Sequence, residues 1–150
     1  MRSDSKARIL LEEYWNMHIP VDITHIVSKM GWVIDYVDLQ FKNFNINANK
    51  HTITINSELS DTAKRSALAT ALGCVVYSYY NEDVYQKLNN YSSQIESQIG
   101  LFVRTLLMPA EAIKVIVDIR NNKDPVQIRK LFDVSSSMLY TRLQELGYFG

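Results

Sequence analysis

The chain has 150 residues, 47% of them hydrophobic, and its 16 basic and 16 acidic side chains leave a formal net charge of zero. That length fits one domain, or one domain with a small helical appendage, and the composition supports a proper core. Zero net charge excludes binding to nucleic acid through overall charge, and no run of about 18 apolar residues offers a membrane span.

A lone cysteine, Cys74, rules out an internal disulfide and suits a reducing cytoplasm. The opening residues Met1 to Lys6 lead into an amphipathic stretch broken by Glu12 and Glu13, which is not a signal-peptide pattern. From Ser5 to Trp15, Ala7, Leu10, Leu11, Tyr14 and Trp15 recur at helical spacing. Pro20 resets the chain, Val21 or Asp22 opens a second short helix with a stripe of Ile23, Ile26, Val27 and Met30, and Gly31 stops it. Trp32 to Val37 reads as a strand. Asn43 to Asn47 and His51 to Asn56 alternate with period two around an Ala48-Asn49-Lys50 tip, which predicts a hairpin and a small, mostly antiparallel sheet of about three strands.

Ser60 or Asp61 caps a long helix to about Tyr80, whose interior, Ala67 to Val76, is apolar nearly all round and so is buried. Asn81 to Ser93 reads as a polar loop with a short helical piece. Ile95 to Met108 is helical by the spacing of Ile95, Ile99, Phe102, Val103, Leu106 and Leu107, and Pro109 stops it. Ala110 to Ile119 continues as a short helix. Asn121 to Pro125 is a break, followed by helices over Val126 to Phe132 and Ser136 to Leu146 around a tight turn at Asp133-Val134-Ser135. The expected division is 1–120 for the main domain and 121–150 for a helical pair packed on it.

In their order, these segments resemble the ImmA/IrrE family of metallopeptidases over nearly the whole length. Pro20-Val21-Asp22-Ile23 through Gly31 resembles the opening helices, and Thr54-Ile55-Asn56 resembles the strand before the active-site helix. Arg65 to Cys74 occupies the place of Arg-Phe-Thr-Leu-Ala-His-Glu-Leu-Gly-His. Phe102 to Pro109 resembles Phe-Ala-Ala-x-Leu-Leu-Met-Pro, and Phe132 to Gly147 resembles a closing helix-turn-helix-like pair. The resemblance implies an α+β fold: a small sheet, a helical bundle and a zincin-like core helix.

The departures fall where chemistry would be. A zinc peptidase of this kind needs two imidazoles one helical turn apart and a glutamate beside the first to activate water. Thr70 and Cys74 stand in the histidine places, Ala71 in the glutamate place, and Gln98 in the place of the further acidic ligand. Thr70 and Gln98 are poor zinc ligands, and His18, His25 and His51 share no helix with Cys74. Cys74 lies mid-helix among Leu72, Val75 and Val76, where free cysteine behaves as a small hydrophobe and not as a nucleophile. The implied protein has no metal, no cofactor and no catalytic residues. It is a non-catalytic regulator, encoded by a phage or other mobile element, that binds a protein partner such as a helix-turn-helix repressor. A residual metallopeptidase is the reading this sets aside.

Two further surfaces compete for a role. Tyr77, Tyr79, Tyr80, Tyr85 and Tyr91 are dense in tyrosine, a residue enriched at recognition surfaces. Tyr77 and Tyr80 equally suit a core, whereas exposure of Tyr79, Tyr85 and Tyr91 would mark a partner-binding face. In the last helix Met138, Leu139, Leu143, Leu146 and the stem of Arg142 are expected inward. Ser136, Ser137, Tyr140, Thr141 and Gln144 are expected outward, as on a recognition helix, with Arg129 and Lys130 as phosphate contacts. Asp118, Asp124, Asp133 and Glu145 offset most of the local positive charge, which favours a helical pair that simply packs on the domain over one that reads DNA.

Overall fold

The computed structural model describes residues 2–79 and 93–148. The polar stretch read as a loop from Asn81 lies outside the described residues up to Ser92, as do Tyr80, Tyr85 and Tyr91. The described residues hold seven α-helices and a three-stranded sheet, the expected α+β architecture. In chain order the helices are α1 (Ser5–Tyr14), α2 (Ile23–Lys29), α3 (Asp61–Val76), α4 (Ser93–Leu107), α5 (Ala110–Lys114), α6 (Pro125–Phe132) and α7 (Ser136–Glu145). The strands are β1 (Val33–Val37), β2 (Phe44–Asn47) and β3 (Thr52–Asn56).

Helix starts follow from short polar side chains that satisfy the first free backbone N–H groups. Asp4 accepts from the Ala7 amide, Asp22 from His25, Ser60 from Ala63, Asp124 from Val126 and Ser135 from Met138. Each such cap contributes about 1 kcal/mol. Past α2 the chain turns through Gly31 at φ 83°, a conformation that costs glycine nothing.

The sheet differs from expectation in one pairing. The hairpin forms and β2 runs antiparallel to β3, but β3 is the middle strand and β1 lies parallel on its other side. A parallel neighbour requires the β1–β2 connection to pass the end of β3, and the buried Asn56 holds it there. Its amide nitrogen donates to the carbonyls of Gln40 (3.2 Å) and Lys42 (2.9 Å), and its oxygen accepts from the amides of Leu39 (3.4 Å) and Glu58 (3.1 Å). Ile46, Ile53 and Ile55 form the buried side of the sheet, in one core with α3 and α4.

The segment read as a helix from Ala110 to Ile119 splits: α5 ends at Lys114 and Val115–Ile119 is a π-helical turn. The extra residue per turn keeps Ile116 and Val117 buried and sets Ile119 on the surface, 70% exposed.

Candidate functional site

The long helix α3 is buried on almost every side: Ala67, Leu68, Ala69, Ala71, Leu72, Gly73 and Cys74 are all inside. Its closest neighbour is α4. A Cβ built on Gly73 would stand 2.9 Å from Phe102 Cδ1 and 3.4 Å from Ile99, so the absence of a side chain at 73 is what lets the two helices meet.

Thr70, Ala71 and Cys74 sit on this helix as packing residues. The Thr70 hydroxyl donates back to the Ser66 carbonyl at 2.8 Å, the local bond that satisfies a hydroxyl inside a helix. Ala71 and Cys74 are fully buried. Burial pushes the Cys74 thiol up to about 12, away from the thiolate that a metal or an electrophile would need.

On α4, Gln98 is half-buried, and its side-chain oxygen accepts from the Tyr79 hydroxyl at 2.8 Å. The Tyr79 amide donates to the Cys74 carbonyl at 2.7 Å, so Tyr79 ties the end of α3 to Gln98. Tyr79 is therefore half-buried and engaged, whereas Tyr85 and Tyr91 lie outside the described residues. Beside Gln98 is a cavity of about 550 Å³, bounded by Ser3, Ser5, Gln94 and Ser97 among others.

The donor set does not fit zinc. A zinc site takes at least three good ligands, and among the described residues no three His, Cys, Asp or Glu side chains converge. The groups at the family's ligand places are a hydroxyl and an amide already bound within the protein and a protonated thiol.

Tyr77 closes α3. Its ring meets Phe102 edge-on at 6.1 Å between centroids and lies 4.6 Å from the Lys6 ammonium, and its hydroxyl hydrogen-bonds the Asp4 carboxylate. Burial, and then the bond to Asp4, raise its pKa. The amide of Asp4 in turn donates to the Thr105 hydroxyl of α4 at 2.9 Å.

The C-terminal pair divides by face as expected. Leu139, Arg142, Leu143 and Leu146 are buried, and Ser136, Ser137, Tyr140, Thr141 and Gln144 are exposed. Arg142 departs from expectation because its guanidinium, and not only its stem, is inside. Pro109 ends α4 and leaves the Met108 carbonyl without a helical donor; Arg142 Nε supplies one at 3.0 Å. Its other nitrogens donate to the Arg2 carbonyl (2.9 Å) and the Ser3 hydroxyl (3.2 Å). Burial lowers its pKa to about 10. Next to it Arg104 grips Glu145 bidentately through its Nε and Nη2, at 2.9 and 2.8 Å. Of the two proposed phosphate contacts, Lys130 is exposed, while Arg129 is half-buried with Nη1 3.5 Å from the Val134 carbonyl.

Sequence reasoning did not find the Tyr79–Gln98 bond or the Arg142 cluster. The one available signal was the Met-Pro helix end, which demands an outside donor without saying where that donor lies in the chain.

The profile of the IrrE N-terminal-like domain matches residues 25–144. A solved Mycobacterium tuberculosis transcriptional regulator shares the fold, with a TM-score of 0.66 and 14% sequence identity. The match covers 93% of this chain and 45% of that one, so this chain spans less than half the length of that structure. No curated protein matches the chain.

Proposed function

The chain belongs to the IrrE N-terminal-like domain family, and we propose that within it this protein is a non-catalytic regulator, a pseudo-peptidase that acts by binding. The observation that carries the proposal is the state of the four places where the family's chemistry would sit. Thr70, Ala71, Cys74 and Gln98 present no metal-ligand set and no general base: Ala71 and Cys74 are packed in the core, and half-buried Thr70 and Gln98 are hydrogen-bonded within the protein. Small, nearly neutral groups are what a buried helix tolerates once a metal no longer compensates buried charge. The solved neighbour is a transcriptional regulator, which supports a regulatory setting.

The partner in this reading is a protein, most directly a helix-turn-helix repressor, in a phage, prophage or other mobile-element context. It binds over the cleft beside Gln98, and sequestration or altered oligomerisation replaces cleavage. The test is metal analysis and peptidase assay of purified protein, with affinity capture of repressor-like proteins from the native host. A captured repressor that is intact, from zinc-free bait, supports the reading. Stoichiometric zinc, or a repressor recovered clipped, overturns it.

A second reading rests on the exposed outer face of α7, where Ser136, Ser137, Tyr140, Thr141 and Gln144 stand together. In that reading the C-terminal pair contacts DNA, with Lys130 and Arg129 at phosphates. Affinity for duplex DNA that falls steeply with salt, and is lost on changing Arg129 and Lys130, is its signature. Absence of binding at low salt removes it.

A further inference from the structure

The strand β1 is an edge of the sheet, on the opposite side from β2. In a parallel ladder alternate residues of a strand bond one neighbour, and the residues between them turn their N–H and C=O the other way. The Val33 amide donates to the His51 carbonyl at 2.8 Å, and the Val37 carbonyl accepts from the Ser57 amide at 2.9 Å. Val33, Asp35 and Val37 therefore bond β3, and Ile34 and Tyr36 direct their backbone groups outward, where the sheet has no further strand.

This edge carries exposed apolar side chains. Val33, Tyr36 and Val37 are 61%, 50% and 46% exposed, and Phe41, just past the strand, is 99% exposed. Phe41 is not on a loose loop. Asn56 bonds Leu39 and Gln40 on one side of it and Lys42 on the other, so the ring is held out in water by a fastened backbone. Natural proteins ordinarily blunt such an edge, because an apolar edge strand pairs with other chains.

Asp35 is the only charged side chain in the three strands. No cation among the described residues pairs with it. Its carboxylate accepts from the Tyr36 amide at 3.1 Å, one of the outward N–H groups. The cation nearest to Tyr36, Lys64 of α3, lies over its ring at 5.9 Å from the centre, and Asp35 and Tyr36 point to opposite faces of the sheet. A guarding charge accounts for Asp35, but it leaves the fastened Phe41 and the bare valines without a reason.

The charge also selects what fits. An antiparallel strand that used both Ile34 and Tyr36 would set one residue directly opposite Asp35, at the close position where side chains meet. A second copy of β1 in that register sets Asp35 against Asp35, which is repulsive. A strand with Lys or Arg at that place, and apolar residues two positions to either side, pairs the charge and covers Val33 and Val37. Its cation also draws the carboxylate off the Tyr36 amide and frees that donor.

We infer that β1 is a docking edge for an extended segment of another protein, added antiparallel to it, with a Lys or Arg set between apolar side chains. None of Thr70, Ala71, Cys74 and Gln98 takes part, so the outcome leaves the pseudo-peptidase reading untouched.

The test selects peptides of about seven residues from a random display library on the full chain. The enriched peptide, made synthetically, is then titrated into ¹⁵N-labelled protein. The expected consensus is a Lys or Arg with apolar residues two positions before and after it. The peptide should shift the Ile34 and Tyr36 amides saturably and slow exchange of the Ile34 amide with solvent. Asp35→Lys should weaken it at least about threefold, and a Glu in place of the peptide's cation should restore binding to that variant. Asp35→Asn, which keeps the shape and removes the charge, takes its place should Asp35→Lys fail to fold. Absence of any enriched peptide, a consensus without the cation, shifts confined to other elements, or affinity unchanged by the substitution overturns the inference. A concentration-dependent dimer of the chain that protects the Ile34 amide by itself also overturns it, in favour of a second copy.

Discussion

The contact of α3 with α4 and the seam of α4 with α7 share one helix and treat burial in opposite ways. Beside the first, the places on α3 that align with the family's charged and metal-binding groups hold an alanine, a protonated thiol and a hydroxyl turned onto its own helix. In the second, Arg142 is buried with its nitrogens all bonded, and the bidentate Arg104–Glu145 pair lies half-buried beside it. Buried polarity is kept in the seam, where each group has a protein partner, and is sparse along α3. On the proposed reading, loss of a metal removes the reason to keep costly groups, whereas a self-satisfied network carries its own reason.

The sharpest way to break this comparison is to put the charge back. Thr70→His, Ala71→Glu and Cys74→His together bring new polar groups into the packed helix α3, and the triple variant should lose more than about 4 kcal/mol or fail to fold in chelator. Adding Gln98→Glu and zinc should recover part of the loss, read as a zinc-dependent rise in Tm that the unaltered protein does not show. A triple variant as stable as the starting protein would mean the packing around α3 is looser than its burial indicates.

Next in size, Arg142→Ala removes the donor to Met108, Arg2 and Ser3 at once, and urea unfolding should report a loss of about 3–5 kcal/mol. Gly73→Ala should cost about 1–3 kcal/mol, because the new methyl meets the buried Phe102 ring, overriding the gain in helix propensity. Pairing it with Phe102→Leu should return part of that loss, which a double-mutant cycle measures.

Within the pH range a urea titration samples, the last effect is alkaline. The Cys74 thiol titrates near 9 when unfolded and about 12 when folded, so above pH 9 the unfolded chain gives up its proton first. Its contribution to stability is complete below about pH 9 and falls as pH rises toward 12, by at most about 1.4 kcal/mol per pH unit. Cys74→Ala should flatten the decline of the urea midpoint between about pH 8 and about pH 10.5 relative to the unaltered protein. Equal slopes would place the thiol in water.

How much of this could be read in advance divides by range. Helix positions and their caps are local, and Ser60, Asp124 and Ser135 act within three residues of themselves. The hairpin is local too. The parallel partner of β1 is not, since it depends on Asn56 gripping a loop some 14 to 17 positions away. The replaced ligand positions are legible because a motif has fixed spacing along one helix. What surrounds them is not: Gln98 meets Tyr79 across 19 positions and Arg142 meets Arg2 across 140. The π turn after Lys114 escaped because an extra backbone residue leaves the apolar pattern from Ile113 to Val117 intact.

The Arg142 cluster also has a mechanical meaning. It joins the first residues of the described fold to its last helix, with the Arg2 amide adding a bond to the Glu145 carbonyl at 3.3 Å. A pull applied between those two segments would load these few bonds together and at once, before any strand or helix began to unravel. The fold is thus latched at its own ends, and a tether attached to either one reports first on that latch.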